Sequence, residues 1–236
     1  MRLLLLSNST APGKRYLEHA AEVLAATLDG VQRLVFVPFA LADHDGYTGQ
    51  VRRALEPYGV HTTGAHEGDP IELLDAAQAV FVGGGNTFRL LRELHARELV
   101  AAIRDRVAHG TVYIGSSAGT NVACPSLRTT NDMPIVQPPS FDAIGLVPFQ
   151  INPHYLDPVP GHMGETRAER IEQFLEENDV PVLAMREGTW LTRADSTLTL
   201  GGEPVGARLF RRGTAPEEIE SGADLSALLE TAGRYR

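Results

Sequence analysis

Gly115-Ser116-Ser117-Ala118-Gly119 stands between an apolar run, Thr111-Val112-Tyr113-Ile114, and a segment from Thr120 that can open a helix. Strand, Gly-x-Ser-x-Gly, helix is the pattern of a nucleophile elbow. A serine hydroxyl reacts poorly unless it is held clear of the backbone, beside a base and beside amide donors. A sharp turn from strand to helix holds it so, and flanking glycines relieve the crowding of that turn. The next residue, Ala118, then begins a helix, and its N–H has no intrahelical acceptor. Ser117 is the candidate nucleophile, and Ala118 is a candidate oxyanion donor.

The rest of the chain supplies a sheet for such an elbow. Apolar strands are expected at 3–6, 34–37, 60–63 and 79–82. Helical patterns lie between them at 16–28 and 47–55, and in a short stretch opened by Asp69-Pro70 as cap and first turn. Residues 88–107 read as helix with one break near Arg97. Strands that are apolar throughout and separated by helices imply a parallel sheet covered on both faces. Ligands bind such sheets beyond the carboxyl ends of the strands. The loops 7–12, 83–87 and 115–119 all fall at that edge. Beyond Cys124, residues 125–153 form a long connection rich in Pro, Asn and Asp. A helix follows at 164–177, and 189–192, 197–200 and 207–210 read as antiparallel strands at the end of the sheet.

Composition narrows the class. A chain of 236 residues fits one α/β domain, 1–236, and 43% hydrophobic with 22% charged residues is ordinary for a globular protein. A net charge of −9 argues against nonspecific nucleic-acid binding. The single cysteine, Cys124, permits no intrachain disulfide and no Cys-x-x-Cys metal knuckle. The run Leu3–Leu6 is too short for a signal peptide, and no stretch approaches a membrane span. The expectation is a cytoplasmic protein with no membrane association; the sequence leaves room for a homodimer.

A serine nucleophile needs a histidine base and a group that orients it. His19 and His95 sit inside helical patterns; His44, His61, His66, His109 and His162 lie in loops or at element ends. His154 ends the run Phe149-Gln150-Ile151-Asn152-Pro153-His154, where Pro153 fixes its own φ and pushes Asn152 toward extended geometry. That makes His154 the candidate base. Asp132 and Glu187 are both candidates for the orienting carboxylate, and spacing does not choose between them. Gly83-Gly84-Gly85-Asn86-Thr87 lacks the spacing of nucleotide-binding loops, so Gly84 or Gly85 is better used as a second oxyanion donor. Arg167 lies in the first turn of a helix, where the dipole disfavours a cation. A guanidinium there, soon after a strand-end histidine, suits a fork that holds a substrate carboxylate.

These residues together resemble the peptidase E family of serine peptidases, α-aspartyl dipeptidases related to cyanophycinase. The likeness runs over nearly the whole chain. It includes Leu4-Leu5-Leu6-Ser7-Asn8-Ser9-Thr10, Gly83-Gly84-Gly85-Asn86-Thr87-Phe88, Ser117-Ala118-Gly119 and Ala123-Cys124-Pro125. It continues through Arg128-Thr129-Thr130-Asn131-Asp132-Met133-Pro134-Ile135-Val136, Gln150-Ile151-Asn152-Pro153-His154 and Gly164-Glu165-Thr166-Arg167. The resemblance implies a three-layer α/β sandwich with a mostly parallel sheet, like that of class I glutamine amidotransferases. It also implies a serine exopeptidase for dipeptides with an N-terminal aspartate, using neither metal nor cofactor. Carried over by motif, Ser117 is the nucleophile, His154 the base and Asp132 the expected third member; Glu187 matches the glutamate of the cyanophycinases and is the alternative. Arg167, aided by Asn86 or Thr166, would bind the aspartyl carboxylate. Ser116 departs from the tryptophan usual before the nucleophile. A cyanophycinase-like or isoaspartyl peptidase and a non-catalytic binder of acidic ligands are the rival readings. An amidotransferase normally has a cysteine at the elbow, and Cys124 is too far along to serve.

Overall fold

The computed structural model describes residues 1–161 and 163–235; His162 lies outside the described residues. Among the described residues, eleven strands form two sheets. The larger takes β1 (Arg2–Leu6), β2 (Arg33–Val37), β3 (His61–Gly64), β4 (Ala79–Val82), β5 (Val112–Ser116), β8 (Thr189–Ala194) and β9 (Thr197–Gly202). The smaller takes β6 (Gln150–Tyr155), β7 (Val182–Arg186), β10 (Ala207–Phe210) and β11 (Glu217–Ile219). Strand order in the larger sheet is β3-β2-β4-β5-β1-β8-β9, parallel from β3 to β1 and antiparallel from β1 onward.

Alternation along the strands divides the core. Leu4, Leu6, Leu34, Phe36, Phe81 and Ile114 face one side, under α1 (Ala21–Thr27) and α2 (His44–Leu55). Leu3, Leu5, Val35, Val80, Val82 and Tyr113 face the other, under α3 (Pro70–Ala76), α4 (Thr87–Ala96) and α5 (Leu99–Ala108). Both faces being covered, the inner strands β1, β2, β4 and β5 carry no polar alternation, as a parallel sheet demands. The fold is the expected mostly parallel sandwich with helices on both faces.

The departures have local causes. The expected helix 16–28 begins late, because Leu17 adopts a left-handed φ of 62° and buries its side chain; a short 3₁₀ turn then leads into α1. The break in 88–107 falls at Glu98, also left-handed at φ 59°. The elbow helix α6 (Ala118–Asn121) is a single turn. The carbonyls just beyond it are met by the long connection, through Ile144 N–H to Val122 O (2.9 Å) and Leu146 N–H to Ala123 O (2.7 Å). The antiparallel strands at the sheet's end are β8 and β9, whereas 207–210 belongs to the second sheet, order β11-β10-β7-β6. That sheet packs Ile151, Leu183, Met185 and Leu209 into the larger core, while Val182, Ala184 and Phe210 lie under α7 (Arg167–Glu177).

The elbow depends on close backbone approach. A Cβ on Gly119 would stand 2.0 Å from the Val82 carbonyl oxygen and 2.7 Å from its carbon, backbone atoms that cannot swing aside as a side chain could. Gly119→Ala is therefore expected to lower stability by about 2 kcal/mol or more, at the upper part of the overpacking range. Urea unfolding followed by circular dichroism checks this, and parental stability in the variant would contradict the close approach.

Candidate active site

Ser117 follows β5 directly, with φ 54° and ψ −108°, a conformation that few non-glycine residues adopt. Its N–H donates to the Leu6 carbonyl at 3.1 Å, and the Thr120 hydroxyl donates to the same oxygen at 2.6 Å. The Tyr113 hydroxyl donates to Gly119 O at 2.6 Å and fixes the first turn of α6 from below. Ser116 is fully buried opposite Leu6, and its hydroxyl has no partner among the described residues.

His154 reaches the elbow from the second sheet. The β6–β7 register shifts between Asn152 and Tyr155, and His154 itself takes φ 55°. Its N–H donates to Ser7 Oγ at 3.0 Å, and its carbonyl accepts from Arg167 Nη1. The ring then lies with Nε2 at 2.8 Å from Ser117 Oγ and Nδ1 at 2.7 Å from Glu187 Oε1. An ionised carboxylate can only accept, so Nδ1 carries the proton and Nε2 offers its lone pair to the serine hydroxyl. Glu187 sits in the turn where the chain leaves β7 for β8, next to Gly188 at φ 85°. The other described histidines have different partners or none: His66 pairs with Asp45, and His95 meets the Asp142 carbonyl.

Asp132, the expected partner of His154, is elsewhere. Its Oδ2 accepts from the Thr87 N–H at 2.7 Å and from the Thr87 hydroxyl at 2.6 Å, at the start of α4. The positive end of a helix with free N–H groups draws a carboxylate strongly. The glycine loop is also partly engaged. Gly84 N–H donates to the Tyr47 hydroxyl at 2.8 Å, in the space left by Gly83, where a Cβ would lie 2.7 Å from that oxygen. Gly84 still borders the nucleophile, its ideal Cβ position being 3.1 Å from Ser117 Cβ. Gly85 N–H and Ala118 N–H donate to no acceptor among the described residues.

Asn86 and Thr166 turn out to be helix caps. Asn86 Oδ1 accepts from Arg89 N–H at 3.0 Å while Nδ2 donates to Met133 O at 2.9 Å. Thr166 Oγ1 accepts from Glu169 N–H at 3.2 Å, and the Glu169 carboxylate accepts from Thr166 N–H at 2.6 Å, a complete capping box. Arg167 is the first residue of α7 and is half-buried. Burial and then Arg170 hold its pKa below the ordinary arginine value, opposed by Glu187 and Asp132. Cys124 is fully buried, accepts from Ile151 N–H at 3.1 Å and has its thiol pKa raised by burial, so it is a packing residue.

The sequence placed loop 7–12 at the carboxyl edge but gave no individual role to Ser7 or Asn8, nor to Tyr47, which lies on the buried face of α2 like any core residue. Among the described residues no three His, Cys, Asp or Glu side chains are grouped to hold a metal ion, and no helix is long and apolar enough to cross a membrane.

Residues 3–201 match the model of Peptidase family S51. The chain is 60% identical to Peptidase E of Streptomyces coelicolor, over all of this chain and 98% of that protein. It is 50% identical to a Drosophila melanogaster protein named "Probable alpha-aspartyl dipeptidase", with 97% of each chain covered. The structure of a peptidase from an acI-B1 actinobacterium shares the fold, with a TM-score of 0.67 at 16% identity over 95% of this chain and 96% of that one. A family model spanning most of the chain and full-length relatives at such identity mean that the chain belongs to peptidase family S51 and is a peptidase.

Proposed function

We propose that the chain is a cytoplasmic serine dipeptidase for Asp-X dipeptides, in which Ser117 is the nucleophile, His154 the general base and Glu187 the carboxylate that orients it. The observation that carries this reading is the continuous contact from Ser117 Oγ through the imidazole to Glu187, at 2.8 and 2.7 Å. Ser117 Oγ attacks the carbonyl of the peptide bond as Nε2 takes its proton, and Glu187 stabilises the imidazolium that forms. The imidazolium then protonates the leaving amine, and water hydrolyses the acyl-enzyme by the same route. The N–H groups of Ala118 and Gly85 receive the oxyanion; one such donor is typically worth about 3 kcal/mol in the transition state.

The substrate side rests on Arg167. Among the described residues its guanidinium makes one hydrogen bond, to the His154 carbonyl, and its remaining donors are available to the β-carboxylate of an N-terminal aspartate. The name of the Drosophila relative supports the same substrate class. A fold without disulfides, its one cysteine buried, suits a reducing cytoplasm.

Ser117→Ala is expected to reduce hydrolysis of Asp-Leu by about 10⁴-fold or more, and Glu187→Gln to lower kcat by about 10- to 10⁴-fold, both without loss of circular-dichroism signal. Parental turnover in Ser117→Ala overturns the mechanism. Offered Asp-Leu, Asn-Leu, Glu-Leu and isoAsp-Leu, the enzyme is expected to prefer Asp-Leu over Asn-Leu by about 10- to 100-fold, the worth of a charge-assisted bond. Because Arg167 also touches His154, its test is the ratio and not the rate: Arg167→Ala should collapse the Asp-to-Asn preference. If both substrates slow equally, Arg167 does not read the carboxylate. Preference for isoAsp-Leu would favour a β-aspartyl enzyme.

A further inference from the structure

We propose that Ser7 and Asn8 are positioning residues of the triad, Ser7 fixing the backbone of His154 and Asn8 the turn that carries Glu187. The inference rests on the triad of the preceding section and goes beyond it to what holds the triad in register.

Nucleophile and base arrive on different sheets. Ser117 rides at the end of β5, His154 on β6, and Glu187 at the crossing between the two sheets. Ser7 and Asn8 lie at the end of β1 where these parts meet, with relative exposures of 0% and 2%. The Ser7 hydroxyl donates to the Met185 carbonyl at 2.9 Å and accepts from His154 N–H at 3.0 Å. A hydroxyl has one proton. With that proton committed to Met185, its lone pair is aimed at the histidine amide. Ser7 N–H donates to Thr189 O at 3.0 Å. Asn8 Oδ1 accepts from Gly188 N–H at 2.7 Å, while its Nδ2 donates to Thr10 O at 2.9 Å and fixes the amide's orientation. The turn that bears Glu187 is thus gripped at Met185, Gly188 and Thr189 by two consecutive residues.

His154 needs such a restraint. A φ of 55° is unfavourable for histidine and persists only where the surroundings impose it. Ser7 supplies the bond on its N–H side, as Arg167 does on its carbonyl side. Displacement of a reacting group by about 1 Å can cost about 100-fold in rate. Buried polar residues are hydrogen-bonded in any fold, so bonding alone does not mark a positioning role. Coupling to the triad does.

The experiment measures kcat and KM on Asp-Leu, and the rate of fluorophosphonate labelling of Ser117, for Ser7→Ala, Asn8→Ala, Glu187→Gln and the double variant Asn8→Ala/Glu187→Gln. The expected result is a kcat lowered about 10- to 100-fold in each of the first two, per labelled site, with KM within about 2-fold. In the Glu187→Gln background, Asn8→Ala should cost about 3-fold or less, because the group it positions is already disabled. Should Ser7→Ala fail to fold, Ser7→Cys, similar in size and a weaker hydrogen-bonding group, takes its place. The proposal is overturned if kcat per labelled site stays near the parental value while only thermal stability falls, or if Asn8→Ala costs the same factor in both backgrounds. Parental kcat in Glu187→Gln would instead sink the triad assignment itself, so the two failures are distinguishable.

Discussion

The register of β1 is the constraint on which the rest depends. This strand lies between β5, which it pairs in parallel, and β8, which it pairs antiparallel, so it sets the elbow on one side and the Glu187 turn on the other. Leu6 is opposite both Ser116 and Trp190. Yet its four leucines are all buried and cannot by themselves tell one face of the sheet from the other, so a one-residue slip would cost little in polarity. Polar bonds at the strand's ends resist that slip. At one end Asp195 N–H donates to Met1 O at 2.8 Å. At the other, Ser7 and Asn8 engage Met185, Gly188, Thr189 and His154. The apolar strand supplies burial, and the two residues after it supply alignment.

The legible part of the fold follows from this division. Runs such as Ala79-Val80-Phe81-Val82 and the leucines of β1 announce buried strands whatever their neighbours do, and the structure places both as expected. Ser117 and His154 were legible because each is tied to a local device, a glycine-flanked elbow and a proline-fixed strand end. The partner of His154 was not, because it is chosen by long-range contact. Asp132 is drawn to Thr87, forty-five positions away in the chain, and Glu187 reaches the imidazole only because the chain changes sheets beside it. The second sheet escaped notice for the same reason, since β7 and β8 are adjacent in sequence yet belong to different sheets. The expected helpers Asn86 and Thr166 are instructive in another way. Thr166-x-x-Glu169 is a capping-box pattern visible in the sequence, and it assigns Thr166 to its own helix before any substrate is considered. Tyr47 taking the Gly84 amide left no such trace.

Two of the non-glycine residues at positive φ stand where the chemistry is proposed. Ser117 and His154, facing each other at 2.8 Å, are both non-glycine residues at positive φ. Such conformations cost about 1–3 kcal/mol each and need a surrounding structure that over-determines them. For Ser117 the enclosure is the Leu6 carbonyl, the Gly84 backbone and the tight α6–β4 approach; for His154 it is Ser7 and Arg167. Neither strained residue is held by its own element alone.

Arg167 joins this economy of restraint to recognition. A cation at a helix N-terminus opposes the dipole, and burial makes it costlier still. The fold offsets this with the His154 carbonyl on one side and the fields of Glu187 and Asp132 on the other. Two of those three groups belong to His154 and Glu187, the base and carboxylate of the proposed triad, so the guanidinium is tied directly to that arrangement. In the proposed function the substrate's β-carboxylate becomes a further anion in this arrangement, and the one bound most directly to an otherwise under-matched cation. Its arrival would strengthen the hold on Arg167, and through the His154 carbonyl the hold on the base. Binding energy from the aspartyl side chain, remote from the scissile bond, would then be converted into alignment at the reacting centre. A neutral side chain in the same place would fill the space without that effect. Selectivity for an acidic residue and catalytic competence would thus arise from one guanidinium.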